Sequence, residues 1–202
     1  MDYLKNIQQQ NKPGFDRHMT KQEINSCPVR KWEGTTHVIR TNEEMMHAVD
    51  KLSSEDVLGF DTETRPAFRK GQKYSPTLLQ LAGAGEVFLF QLKMLGLRQP
   101  LLSLLTDPGI IKVGVAIKFD LQELNKLTRF TPAGFVELGT LSKKKGIKNN
   151  GLRGLAAVVL GLRITKSAQT SNWARDELTQ SQISYAATDA WVGREIFLRL
   201  SA

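Results

Sequence analysis

The chain has 202 residues, a single cysteine (Cys27), a formal net charge of +8 and a pI of about 9.7. Its 41% apolar and 24% charged residues suit one globular domain, and no apolar run approaches the roughly 18 residues that span a bilayer. One cysteine excludes an internal disulfide, and the first residues lack a signal-peptide apolar core, so we expect a cytoplasmic protein. The positive net charge favours a polyanionic partner such as nucleic acid.

Residues 1–35 are predicted to form a polar N-terminal arm, and residues 36–202 to form the folded domain. A glutamine-rich run and the pair Pro13-Gly14 favour partial disorder before about Met19. Residues 21–25 suit one helical turn. Trp32, with the preceding Cys27-Pro28, predicts that the end of the arm packs on the domain.

The domain opens with a short strand, a capped helix and a buried strand. Residues 37–40 suit the first strand. Thr41 and Glu44 form a capping box, which starts a helix with Met45, Val49 and Leu52 on one face. The apolar run 57–60 then predicts a buried core strand that ends at Asp61.

Asp61 and Glu63 follow this strand at a spacing of two residues. Side chains two apart on a strand share a face, and ligands of open α/β sheets bind outside the carboxyl ends of the strands. Two adjacent carboxylates stay ionised together only beside a cation, which favours a hard divalent metal. The alternative is that both are ordinary loop or helix-capping residues.

A basic loop follows Glu63, with Pro and Gly residues that exclude a packed core. We expect it to form a cationic flap beside the carboxylates, placed to contact phosphates. The alternative is a plain solvated loop. Its cations are Arg65, Arg69, Lys70 and Lys73.

The middle of the chain predicts a β-hairpin, a helix, a strand and a second helix. Residues 77–82 and 86–90 flank a glycine-containing turn, so at least one strand pair is antiparallel. A helix is expected over 97–105 and a strand over 110–117. Asp120 then stands at the junction with a further helix, where it either caps that helix or faces the same sheet edge as Asp61.

The last third predicts a short strand at 135–138, a basic run at 143–148, a helix from 151 that Gly161 interrupts or caps, and a long final helix. A second capping box, Thr179 to Gln182, starts the final helix. Tyr185 and Asp189 share its apolar face, so Asp189 is expected to be buried. An unpaired buried carboxylate is costly, and a metal held by Asp61 and Glu63 would be its partner.

Three segments together resemble the DEDD superfamily of 3′–5′ exonucleases, in its tyrosine branch. They are residues 59–64 (GFDTET), 114–124 (GVAIKFDLQEL) and 185–190 (YAATDA), and the segment 171–190 is also similar to the family. The likeness covers about residues 36–202 and is strongest to the Werner-type branch, then to ribonuclease D. It implies an α/β, ribonuclease H-like fold with a mixed five-stranded sheet and helices on both faces.

The resemblance also implies a two-metal 3′–5′ exonuclease that uses Mg²⁺ or Mn²⁺ and acts on the free 3′ end of nucleic acid, DNA more than RNA. Asp61 would bridge both ions, Glu63 and Asp189 would complete the site that activates water, and Asp120 would hold the second ion. Tyr185 would orient the water. No membrane and no nucleotide cofactor is expected.

Further substrate contacts are expected from single residues near the motifs. Lys118 and Arg175 would contact phosphate, and Thr62 would offer its backbone to the terminal 3′-hydroxyl. Trp173 would either stack on a base or sugar or belong to the core. The second motif departs from many relatives, which have a polar residue where this chain has Ala116 or Ile117.

Two other functions compete with this interpretation. A haloacid dehalogenase-type phosphatase has a strand followed by Asp-x-Asp-x-Thr, which residues 61–64 imitate, but it leaves Asp120, Tyr185 and Asp189 unexplained. A catalytically silent nucleic-acid-binding module of the same fold has no need of four acids and a tyrosine.

Overall fold

A computed structural model describes residues 18–67, 69 and 71–202. Almost all of the segment before Met19, which was predicted to be partly disordered, lies outside the described residues, and so does Lys70. Within the described part, no helix is long and apolar enough to cross a membrane.

One mixed sheet of six strands organises the described part of the chain. Its spatial order is β1-β4-β3-β2-β5-β6. β2 pairs antiparallel with β3 and parallel with β5, so the structure confirms the predicted hairpin and mixed sheet but has one strand more than the five expected. The strands are β1 (Thr35–Ile39), β2 (Val57–Thr64), β3 (Pro76–Ala82), β4 (Glu86–Gln91), β5 (Ile111–Gly114) and β6 (Phe135–Glu137).

The helices cover both faces of this sheet. Three of them start at capping boxes, which confirms the two boxes predicted before the second and the last helix. The helices are α1 (Lys21–Ser26), α2 (Asn42–Leu52), α3 (Leu92–Leu95), α4 (Leu101–Thr106), α5 (Ile117–Leu127), α6 (Leu138–Lys144), α7 (Leu152–Leu155), a π-helical turn (Ala156–Leu160) and α8 (Gln180–Ser201).

Three predicted boundaries were wrong. β2 continues through Glu63 to Thr64, because the antiparallel partner β3 extends the ladder past the carboxylates. β5 ends at Gly114, and Ala116 adopts a left-handed conformation (φ 60°) that turns the chain into α5. The helix expected over 97–105 begins only at Leu101 (α4), and α3, which was not predicted, precedes it and ends before Gly96 (φ 65°).

The alternation of side chains along β2 assigns its residues to the two layers. Leu58 and Phe60 join the core under α2, α4 and α5. Val57 lies on the opposite face, where it belongs to a core that includes Val192 of α8. Gly59 also faces α8: a Cβ there would lie 1.9 Å from the backbone oxygen of Ala190. The long helix can approach β2 this closely only because residue 59 has no side chain.

Candidate active site

Three carboxylates meet where β2 leaves the sheet. Asp61 and Glu63 are on the β2 face that α8 covers, and Asp189 reaches them from the middle of α8. One carboxylate oxygen from each lies within 4.8 Å of the other two. Tyr185, one turn before Asp189, lines the same cleft. The predicted sharing of a face by Tyr185 and Asp189, and the burial of that face, are confirmed, since both side chains are under a tenth exposed.

Burial and mutual repulsion raise the pKa values of these acids in the absence of a cation. Desolvation, followed by the charges of Asp189 and Asp120, raises the pKa of Asp61 well above its usual value. The same causes, with Asp61 the leading charge, raise the pKa of Glu63 to about 10. Burial raises the pKa of Asp189 to about 7, and a hydrogen bond from Tyr185 offsets part of that rise.

Asp189 also contains an unsatisfied atom. Its Oδ1 is buried and has no hydrogen-bond partner among the described residues. A buried acceptor without a partner costs free energy, and here it points to a ligand that the cluster binds. Oxygen-only donors at this spacing fit a hard divalent cation such as Mg²⁺ or Mn²⁺, so the residues fit the predicted metals.

Asp120 is placed differently from the other three acids. It lies in the first turn of α5, not at its N-cap, and its Oδ1 accepts a hydrogen bond of 2.5 Å from Thr62 Oγ1. Burial raises the pKa of Asp120, and this hydrogen bond opposes the rise. Its charge is close enough to raise the pKa values of Asp61 and Glu63, so all four acids belong to one electrostatic site.

Glu137 fixes the start of the helix that carries Asp120. Its carboxylate accepts hydrogen bonds from the backbone N–H groups of Ala116 (3.0 Å) and Ile117 (2.9 Å), and from Gly139 (3.1 Å). It therefore satisfies orphan donors at the N-terminus of α5. Sequence reasoning missed this role, although the position of Glu137 at the end of β6, at the same sheet edge, was a usable signal.

Asp61, Glu63 and Asp189 line a cleft of about 580 Å³, and Asp120 is not among its lining residues. This volume falls within the roughly 300–1,000 Å³ of small-ligand sites and leaves room for a nucleotide. Its walls include residues that the sequence did not flag as functional and that no periodicity or spacing singles out: Lys21, Ile24, Asn25, Arg153 and Lys166. Lys166 lies near enough to lower the pKa of Asp189.

The predicted substrate contacts do not all reach this cleft. Thr62 lines it, but its N–H already donates to Asp61 Oδ1 (2.9 Å). Trp173 is 1% exposed and its ring lies 5.9 Å from that of Tyr185. It therefore occupies the core position that was the predicted alternative to stacking on a base or sugar. Four other predicted contacts are exposed and are not among the residues that line the cleft: Arg69, Lys73, Lys118 and Arg175. Their roles stay predictions.

Comparison with known proteins decides the family. The family profile described as 3′–5′ exonuclease matches residues 36–202. The chain belongs to the 3′–5′ exonuclease family. It is 35% identical over 156 residues to the bifunctional 3′–5′ exonuclease/ATP-dependent helicase WRN of Mus musculus, which covers 74% of this chain and 11% of that protein. The exonuclease is also 31% identical over 164 residues to ribonuclease D of Gluconacetobacter diazotrophicus, covering 79% and 41%.

The solved structures agree on the fold. The EXO domain of Aedes aegypti Nibbler superposes with a TM-score of 0.75 at 21% identity, covering 86% of the exonuclease and 90% of that chain. The predicted ribonuclease H-like class is therefore confirmed, although the sheet has six strands. The chain spans about a tenth of the length of WRN and about two fifths of the length of ribonuclease D.

Membership of this family confirms the resemblance and places the chain among hydrolases of phosphodiester bonds that bind nucleic acid. It decides against the haloacid dehalogenase-type phosphatase, whose motif leaves Asp189 without a role. The family depends in general on divalent metals, and the acidic cluster provides oxygen ligands for one.

Proposed function

We propose that the exonuclease removes nucleotides one at a time from a free 3′ end, with two divalent cations, and acts on DNA more than on RNA. The observation that carries this proposal is the group of three carboxylates within 4.8 Å of one another, one of them with a buried, unpartnered oxygen. A silent binding module gains nothing from such a cluster.

The carboxylates have separate parts in this proposal. The charges of Asp189 and Asp120 both raise the pKa of Asp61, which would help to hold both cations, whereas Glu63 and Asp189 would hold the first and Asp120 the second. When bound, the two cations would neutralise the phosphate and the leaving 3′-oxygen and lower the pKa of the attacking water.

Tyr185 would orient the attacking water rather than remove its proton. Its hydroxyl shares the cleft with Asp189 and Glu63, and burial followed by these two charges raises the pKa of Tyr185 above its ordinary value. A protonated hydroxyl donates a hydrogen bond, which fixes the direction of attack.

Tyr185→Phe is expected to lower kcat by about 100-fold, the lower end of the range for a positioned proton donor or acceptor. The affinity for Mn²⁺, measured by calorimetry, should stay unchanged, because the phenyl ring keeps the packing on Trp173. Tyr74→Phe is the matched control. If metal affinity falls as far as kcat does, Tyr185 is a metal-site residue with a different role.

The basic loop after β2 is proposed to contact the backbone of the substrate. Replacing Arg69, Lys70 and Lys73 by alanine should weaken binding of a single strand and reduce the log–log salt slope by about 0.7 for each phosphate that the variant no longer neutralises. Fluorescence anisotropy across a KCl series measures both quantities. The control replaces Lys144 and Lys145, two exposed cations outside the cleft. Equal slopes in the two variants would make the loop an ordinary surface segment.

The proposed activity is tested with matched single-stranded DNA and RNA oligonucleotides, labelled at the 5′ end and incubated with Mg²⁺, Mn²⁺ or EDTA. We expect a ladder that shortens from the 3′ end only with metal, and faster with DNA. Faster cleavage of RNA overturns the substrate preference alone. Intact oligonucleotides under every condition overturn the activity and favour the silent module.

A further inference from the structure

Hydrogen bonds to the exonuclease domain hold the segment that precedes it against the catalytic cleft. We call residues 19–32 the strap. Met19 exchanges two hydrogen bonds with the side chain of Asn149, at 2.9 and 3.0 Å. At the other end, Trp32 donates its N–H to Thr188 Oγ1 (3.0 Å), and its ring lies 5.8 Å from that of Trp191. Both ends are therefore held by the domain.

Backbone hydrogen bonds hold the strap between these ends. Arg163 donates its N–H to the Pro28 carbonyl, and Arg30 donates its N–H to the Arg163 carbonyl, each at 2.9 Å. Arg153 Nη2 donates to Asn25 Oδ1 at 2.6 Å. The strap thus packs on the segment that follows α6, which forms one wall of the cleft.

The helix of the strap lines the same cleft as the carboxylates. Three residues of α1, Lys21, Ile24 and Asn25, are among the residues that line it. The position of α1 is fixed by the two ends of the strap and by its own capping box. The match to the family profile begins at residue 36, so it does not extend to this wall.

Three cations from three segments converge on the cleft: Lys21, Arg153 and Lys166. Within the described ranges, no carboxylate lies at salt-bridge distance from any of them. Arg153 Nε is buried without a hydrogen-bond partner there. Cations that are close to an acidic site but not paired with its acids are placed for an anion that the site receives.

We propose that helix α1 of the strap is part of the substrate site, and that Lys21, together with Arg153 and Lys166, binds backbone phosphates of a single nucleic-acid strand whose 3′ end lies at the carboxylates. This inference rests on the proposed nuclease function for the direction of the strand. The strap then contributes to affinity for the strand, while the carboxylates determine the rate of cleavage.

Lys21→Gln tests the proposal, with Lys31→Gln as a matched control in the same strap. Both lysines are exposed, and only Lys21 lines the cleft. We expect Lys21→Gln to raise KM by about fivefold, which corresponds to the upper free energy of an exposed ion pair. We expect kcat to change by less than about twofold. Its log–log salt slope should fall by about 0.7, the value of one phosphate contact on a single strand. Lys31→Gln should leave all three quantities unchanged.

A binding measurement keeps this test separate from that of the nuclease activity. Anisotropy of a fluorescein-labelled single strand in EDTA should show the same fivefold weakening for Lys21→Gln alone. If the unsubstituted chain binds the strand but never cleaves it with Mg²⁺ or Mn²⁺, the nuclease proposal fails and the strap proposal stands on this binding difference. Identical KM, affinity and salt slope in Lys21→Gln and Lys31→Gln would overturn the strap proposal, as would an absence of any binding by the unsubstituted chain.

Discussion

Asp61→Asn is expected to lower kcat/KM by at least about 1000-fold while the domain stays folded. Loss of the ligand that we propose both cations share would remove several kcal/mol of charge stabilisation in the transition state, and each 1.36 kcal/mol is tenfold in rate. The substitution leaves packing intact, since asparagine and aspartate have nearly the same shape. Steady-state cleavage of a labelled oligonucleotide measures the loss.

The same variant should be more heat-stable than the unsubstituted chain when metal is absent. The raised pKa of Asp61 means that its carboxyl must take up a proton when the chain folds at neutral pH, and the neutral amide avoids this cost. Mn²⁺ should raise the melting temperature of the unsubstituted chain, because a ligand that binds only the folded state stabilises it, but not that of Asp61→Asn. Asp50→Asn, at an exposed position of α2, is the control. A full metal-induced shift in Asp61→Asn would contradict the assignment of this residue to the metal site.

Gly59→Ala is expected to destabilise the domain by about 3 kcal/mol or more, the range for overpacking against a backbone that cannot move aside. The added Cβ would lie 1.9 Å from the Ala190 carbonyl oxygen and 3.2 Å from the Cβ of Arg194, so α8 must shift away from β2. The melting temperature should fall by about 6 °C or more, at roughly 2–4 °C per kcal/mol for a domain of this size.

This shift also affects the site, because Asp189 is next to Ala190 on α8. We expect cleavage to fall together with stability, even at temperatures where the variant is folded. Gly85→Ala is the matched control, since nothing lies within 4 Å of a Cβ at that hairpin position. Equal melting temperatures of the two variants, measured by circular dichroism, would show that α8 does not depend on the close contact at Gly59.

The parts of the site that were predictable are those governed by local rules. Asp61 and Glu63 stand two apart beside an apolar run, and Tyr185 and Asp189 stand one helical turn apart behind a capping box. Strand and helix periodicity therefore put each pair on one face before any fold is known. The burial of Asp189, and its need for a partner, followed from the apolar residues Val192 and Ile196 on its face.

The parts that were not predictable depend on pairing between distant segments. β2 runs on past Asp61 only because β3 lies beside it. The arm was expected to pack on the domain, but no spacing indicated that Lys21 would line the catalytic cleft, since hydrogen bonds to residues more than 120 positions away place it there. Glu137 caps α5 across 20 residues for the same reason.

We propose that cleavage from the 3′ end depends on these carboxylates. The most direct test follows one single-stranded oligonucleotide labelled at the 5′ end and a second labelled at the 3′ end, each with Mn²⁺, for the unsubstituted chain and for Asp61→Asn purified in parallel. We predict that the 3′ label is released first as a mononucleotide, that the 5′-labelled strand shortens as a ladder of products, and that Asp61→Asn does neither. Release of the 5′ label first, or equal cleavage by Asp61→Asn, would contradict it.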